Sequence, residues 1–282
     1  MGDFHWYPGH MAKAKRAIME DLKLIDVIIE LTDARAPLSS RNPDIDAMAN
    51  GKGRIMVMSK SDLSVTAGND SWIQYFSNSG LDTACVDMKS GSGMKKVKSL
   101  LAGAAERKYE KDKKRGIRMQ RPVRALVCGI PNVGKSTFIN SMAGKNIAKT
   151  GNRPGVTKGK QWITVSKGIE LLDSPGLLWP KIEDERAALN LALLGSMNDE
   201  VIDTERLTAE LIAVMTERYP EVLSKMYGVQ PGDDMENVLK KAAEGLNMMK
   251  KGGQPDTDRA KQYLLDSFRG GKLGRITLEL PE

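Results

Sequence analysis

Short runs that are apolar at nearly every position, within LIDVIIELTDAR, RIMVMSKSD, DTACVDMKSGSG and later VRALVCGI, alternate along the first half of the chain with stretches of helical spacing. This is the rhythm of a parallel sheet. QWITVS and IELLDSPG then read as two antiparallel strands. After Pro180 the pattern changes: from Asp184 onward DERAALNLALLGSM, LTAELIAVMTERY and DRAKQYLLDSF carry apolar residues at helical spacing, separated by the turn signals PGDD, GGQPD and RGG. The expected organisation is an α/β domain over residues 1–180, doubly wound around a mostly parallel sheet, followed by a helical domain over 181–282. No internal repeat is visible.

A chain of 282 residues is long enough for two such cores. Its two cysteines, Cys85 and Cys128, lie inside strand-like apolar runs, which suits packed free thiols in a reducing compartment rather than a bridge or a metal site. No run reaches the length of a membrane span, and MGDFHWYPGHM has no signal-peptide core, so a cytoplasmic protein without a membrane partner is expected. The formal net charge is +7, and segment 107–124, RKYEKDKKRGIRMQRPVR, holds nine Lys or Arg against Glu110 and Asp112, an excess equal to that of the whole chain. Such a run suits either a solvated linker or helix face, or a surface that neutralises nucleic-acid phosphates. Lys13, Lys15 and Arg16 add to the second reading.

The pattern G-x-x-x-x-G-K-S is met by Gly129, Gly134, Lys135 and Ser136, between a strand and a helix as its mechanism requires. Amides around Asn132, Val133, Gly134 and Thr137 can cradle phosphates, Lys135 can reach the β/γ oxygens, and Ser136 can ligate magnesium. Downstream, RPGVT offers Thr157 for magnesium and the γ-phosphate, while DSPG offers Asp173 to the metal and the Gly176 amide to the γ-phosphate. Upstream, SKSD resembles a guanine-reading element: Lys60 would pack along the base and the Asp62 carboxylate would accept from guanine N1–H and its 2-amino group, donors that adenine lacks. A Lys-x-Asp pair is expected about once by chance in a chain of this length, so position must carry the assignment. KSGSG, with Ser90 and Gly91, supplies a further candidate loop.

The order SKSD, KSGSG, basic segment, P-loop, PGVT, DSPG is the usual GTPase order cut after the last motif and rejoined through a new linker, a circular permutation. In a parallel sheet all these loops lie at the carboxyl ends of strands, so the cut leaves the site assembled. The segments WYPGHMAKAKR, LTDARAPLSSRNP, GIPNVGKSTFIN, NIAKTGNRPGVT, QWITV and LLDSPGLLWPK together resemble the ribosome-biogenesis GTPase A family, over the whole chain.

That resemblance implies a circularly permuted P-loop GTPase that binds the large ribosomal subunit through rRNA late in its assembly, with GTP/GDP and magnesium as ligands, no DNA partner, and release after hydrolysis. Leu177 stands where Ras-like enzymes carry a glutamine and cannot orient water, and the resemblance points instead to His10 in YPGHM, beside Lys135 and Thr157 as candidate catalytic residues. In related GTPases an Asn at the position of Asn132 helps to hold potassium. Ser59 replaces the family's usual Asn, whose amide helps to hold the base and ties the guanine loop to the P-loop. Two rivals remain on the residues alone: a small-molecule kinase built on a P-loop, and an RNA-binding scaffold with a vestigial nucleotide site.

Overall fold

Six strands form the central sheet: β1 (Val27–Asp33), β2 (Gly53–Ser59), β3 (Asp82–Cys85), β4 (Val123–Gly129), β5 (Trp162–Ser166) and β6 (Ile169–Asp173). The computed structural model describes residues 16, 19–117, 121–144, 162–166, 168–174, 182, 184–197 and 203–281, together with the backbone of 4–5 and 181. The strand order is β3-β2-β1-β4-β6-β5, parallel throughout except that β5 runs against β6. Every residue of β1 is buried, as expected for a central strand covered on both faces. Val27, Ile29 and Leu31 point to one face with Phe138 and Leu101. Ile28 points to the other, with Leu126, Cys128 and Leu172.

Helices α1 (Asp44–Met48), α2 (Thr66–Asn78), α3 (Met94–Lys114) and α4 (Lys135–Ala143) flank the sheet. The expected linker at 107–124 needs correction, because α3 continues through Lys114. No Gly or Pro interrupts the run between Gly103 and Gly116, Lys108 pairs with Asp112 one turn on, and Tyr109 donates its hydroxyl to Gly168 O at 3.3 Å. The charged surface concealed a helix whose other side, through Leu101, Ala104 and Ala105, is buried.

Beyond residue 184 the described residues form five helices: α5 (Glu185–Leu193), α6 (Thr204–Arg218), α7 (Pro220–Tyr227), α8 (Met235–Gly245) and α9 (Thr257–Gly270). Four start at an aspartate whose side chain accepts a first-turn N–H: Asp184, Asp203, Asp234 and Asp256. α7 starts instead with Pro220, whose missing N–H costs nothing at a helix start. LNMM lies just beyond α8, with Met248 buried and Met249 exposed.

The helical region does not stand apart. Leu191, Leu211 and Leu264 belong to the same continuous apolar cluster as Val27 and Phe138. After α9 the chain returns to the α/β part as an extended segment, where Ile276 N–H donates to Leu63 O at 2.9 Å and Leu278 N–H to Arg35 O at 2.8 Å. Glu279 lies deep in this contact and accepts from Ser39 N–H at 2.9 Å and from Asn190 Nδ2 at 3.4 Å. Burial pushes its carboxyl pKa up, against these donors.

Trp72, buried in α2, stacks on Phe76 with centroids 5.4 Å apart and donates Nε1–H to Glu279 O at 3.1 Å. Trp72→Ala is expected to lower stability by about 3–5 kcal/mol in urea denaturation. Trp72→Phe should lose less, about 1–3 kcal/mol for the orphaned carbonyl.

Candidate functional site

The strand order reverses between β1 and β4, and the loops leaving their carboxyl ends diverge there, opening the crevice in which such sheets hold ligands. A cavity of about 940 Å³ lies at this rim. The sequence from β4 into α4 shapes its floor. Gly129 is required by close approach, since a Cβ there would lie 2.4 Å from Leu31 O on the neighbouring strand. Asn132, Val133, Gly134 and Thr137 line the cavity, and the first turn of α4 directs its free amides into it.

Lys135 is buried and donates Nζ–H to Ile130 O at 2.7 Å and Gly129 O at 3.1 Å. Burial lowers its pKa to about 8, opposed chiefly by the Asp173 carboxylate. A desolvated cation hydrogen-bonded to backbone carbonyls and absent from the cavity lining must turn from them to meet an anion there. Asp173 lies buried at the end of β6, and Ser136 is half-buried in the first turn of α4. Ser174 donates its hydroxyl to Val127 O at 2.7 Å, which fixes the end of β6 against β4.

The opposite side of the cavity is made by the loop after β2. Lys60 and Asp62 of the SKSD element line it. Lys60 has φ +56° and its Nζ lies 3.0 Å from Asp33 Oδ2. Asp62 faces Lys89 Nζ at 3.5 Å. Ser59 is fully buried, with its hydroxyl 2.7 Å from Val133 O and 2.9 Å from Thr32 O. One hydroxyl proton serves one of these carbonyls at a time. Ser59 thus ties the SKSD loop to the P-loop, but it is enclosed by backbone carbonyls.

Two sets of lining residues escaped the sequence reading. After β3 the cavity is lined by Asp87, Met88 and Lys89, whereas Ser90 and Gly91 are exposed and absent from the lining. Asp87 explains the difference: its carboxylate accepts from the Lys89 and Ser90 amides, so the chain turns away immediately after Lys89. The rule that sites gather at carboxyl ends of strands would have favoured DMK over SGS. The second set comes from the helical region, where Leu194–Met197, Asp266, Arg269 and Gly270 form a wall. Arg269 donates to Leu193 O and Ala192 O, and Asn132 Nδ2 donates to Gly195 O at 2.6 Å. No local pattern in the sequence announces that wall. His10, Thr157, Gly176 and Leu177 lie outside the described residues.

The cavity joins a phosphate cradle to a carboxylate-bearing loop. A family model described as a 50S ribosome-binding GTPase matches residues 124–244. The chain is 44% identical to Ribosome biogenesis GTPase A of Bacillus cereus over 278 residues, covering 98% of this chain and 94% of that protein. It is 40% identical to Ribosome biogenesis GTPase A of Bacillus licheniformis, covering 98% of each. The chain belongs to the ribosome biogenesis GTPase A family. A solved structure of YlqF from T. maritima, described as GNP-bound, is 29% identical and superposes with a TM-score of 0.68, covering 96% of this chain and 99% of that one. The chain is therefore a circularly permuted GTPase that binds guanine nucleotide.

A phosphate beside Lys135 would restore the charge that burial suppresses. Nucleotide binding near pH 8–9 is therefore expected to take up protons, while binding at pH 6.5 should not. Calorimetry in two buffers of different ionisation enthalpy measures this. Equal apparent enthalpies in the two buffers at pH 8.5 would show that Lys135 is charged before the nucleotide arrives.

Proposed function

We propose that this GTPase serves late assembly of the large ribosomal subunit, binding rRNA and leaving after hydrolysis, in the cytoplasm. One observation carries the nucleotide half of the reading. The P-loop and the Lys60–Asp62 loop, far apart in sequence, are tied through Ser59 and Val133 around one cavity. In that reading Asp62 accepts from guanine N1–H and the 2-amino group, Lys60 covers the base, and the P-loop amides with Lys135 hold the β/γ phosphates.

Magnesium fits the residues present. Hydroxyl and carboxylate oxygens of Ser136 and Asp173 are hard donors of the kind it takes, with Thr157 as a further candidate. Among the described residues no group of three or more His, Cys, Asp or Glu could hold a metal alone. This agrees with an ion held largely by phosphates, where it would neutralise charge developing on them. Potassium beside Asn132 is part of the same proposal. The Asn132 amide nitrogen is engaged by Gly195 O, which leaves its oxygen as the coordinating atom.

The rRNA half rests on charge. Lys111 and Arg115, with Lys52 and Arg107, line a groove of about 820 Å³ at the amino-terminal end of the sheet, opposite the nucleotide rim. Asp26 and Asp112 offset part of that charge and leave it net positive. Lys113 and Lys114 extend it along the last turn of α3. With leucine at position 177, His10 is the residue proposed to orient or activate water once the subunit orders the motif loops.

Asp62→Asn should shift preference from guanine toward xanthine nucleotides, because an amide can donate to the xanthine 2-oxo group. Unchanged GTP preference in competition binding would remove Asp62 from the base site. Purified large subunits are expected to raise turnover by a substantial part of the roughly 10³–10⁵-fold that supplied catalytic groups give other GTPases. His10→Ala should keep subunit binding and lose most of that gain. Substituting Lys111, Lys113, Lys114 and Arg115 together should instead weaken subunit binding, flatten its salt dependence and spare basal turnover. A subunit that never stimulates the wild-type enzyme would sink the ribosome-coupled mechanism.

A further inference from the structure

We propose that the C-terminal segment 271–279 is a working part of the base-reading site, and that Thr277 is a positioning residue for Asp62. The inference rests on the reading of Lys60–Asp62 as the guanine loop.

That loop has little to hold it from within. Lys60 occupies the left-handed region, which a non-glycine residue adopts only under constraint from outside. Its own bonds are Ser61 N–H to Val86 O at 3.1 Å and the single turn from Leu63 N–H to Lys60 O. Around it Lys60 Nζ meets Asp33 Oδ2 at 3.0 Å, Lys89 Nζ meets Asp62 Oδ2 at 3.5 Å and Asn69 Nδ2 donates to Ser61 O at 3.4 Å, and further contacts come from the chain's far end. Ile276 N–H donates to Leu63 O, and Val65 N–H donates to Thr277 Oγ1 at 3.0 Å. Gly271 presses on the Leu63 side chain so closely that a Cβ there would lie 2.4 Å from Leu63 Cδ2. The C-terminal segment therefore fixes Leu63, the residue next to Asp62, and Val65, two residues further on.

The segment is itself held on its other side. Tyr219 at the end of α6 accepts from Thr277 N–H at 2.9 Å and donates to Thr277 O at 3.1 Å, and Arg218 donates to Leu278 O. Thr277 thus joins the helical region through its backbone to the loop through its hydroxyl. Base binding and docking of this segment must then favour one another, since each stabilises the same loop conformation. A partner that lifts the segment would weaken the grip on the base and leave the phosphate cradle intact.

The test compares GDP and IDP binding to the full-length protein. Inosine lacks the 2-amino group, so the ratio of the two affinities reports where the Asp62 carboxylate stands. Thr277→Val, nearly isosteric, should weaken GDP about fivefold, the effect of one lost hydrogen bond, and narrow the GDP/IDP ratio. Thr277→Ser should restore both. Tyr219→Phe, which touches only the far anchor, should narrow the ratio in the same direction. Lys135→Ala should weaken both nucleotides equally, which separates loss of phosphate binding from loss of base reading. A ratio that stays at the wild-type value in Thr277→Val and Tyr219→Phe overturns the inference alone. Wild-type protein that does not distinguish GDP from IDP overturns the guanine-loop reading, and this inference with it.

Discussion

Asp33 at the end of β1 is a fully buried carboxylate shared by two cations. Arg35 approaches it with Nε and Nη2, each at 2.9 Å, and Lys60 reaches it at 3.0 Å. Burial alone would raise its pKa, but the two positive charges outweigh it and hold the group well below the ordinary carboxylate range. A buried ionic cluster of this kind is a poor source of net stability, because desolvation consumes most of the Coulombic gain. Its weight lies in what happens when one member is missing, since a remaining buried charge without its partner costs about 3–5 kcal/mol. The three residues are thereby forced into one arrangement. Lys60 fixes the SKSD loop, and Arg35 carries the constraint onward through a bond to Phe268 O at 3.1 Å and a stack over the Phe268 ring.

The permuted order follows from the same geometry. In a parallel sheet the site is a property of the rim, and the rim is indifferent to which strand the chain visits first. β1 and β2 are adjacent and β4 lies on the other side of β1, so SKSD and the P-loop face each other across the β1 exit loop. The residues in that exit loop are Asp33 and Arg35. A cut and rejoining elsewhere preserves these neighbours. The rejoining element is α3, whose amino terminus follows the Asp87–Lys89 loop at the cavity and whose 21 residues span about 31 Å to the basic groove at the opposite rim.

Much of this was legible in the sequence, for identifiable reasons. Strands buried on both faces write unbroken apolar runs, so β1, β2 and β4 were readable, and Asp184 and Asp256 mark their helix starts by chemistry local to them. The P-loop and SKSD were readable because each motif carries its mechanism in a few adjacent residues. Two features were not. The last turns of α3 are charged wherever they meet water, and the apolar contacts that make them helical are few and interrupted. The lining by Arg269 and Asp266, and the bond from Val65 to Thr277, join residues roughly two hundred positions apart, and no periodicity or motif encodes such a pairing. LTDAR carries the family resemblance, but its physical role, one buried carboxylate between two cations, depends on Lys60, which lies on the loop after the next strand.

The cavity wall gives the C-terminal helices a reason to be where they are. Had they been only an appended RNA arm, their contacts with the α/β part would fall anywhere on its surface. Some fall on α2 and on Ser39, but others meet the cavity rim: Gly195 on Asn132 at the P-loop, Phe268 on Arg35 beneath the SKSD loop, and Gly271 and Ile276 on Leu63 within it. Each of these rim contacts is with a motif residue or its immediate neighbour. A structural change at either end of the nucleotide must therefore alter packing against the helices, and a displacement of the helices must alter both ends of the site.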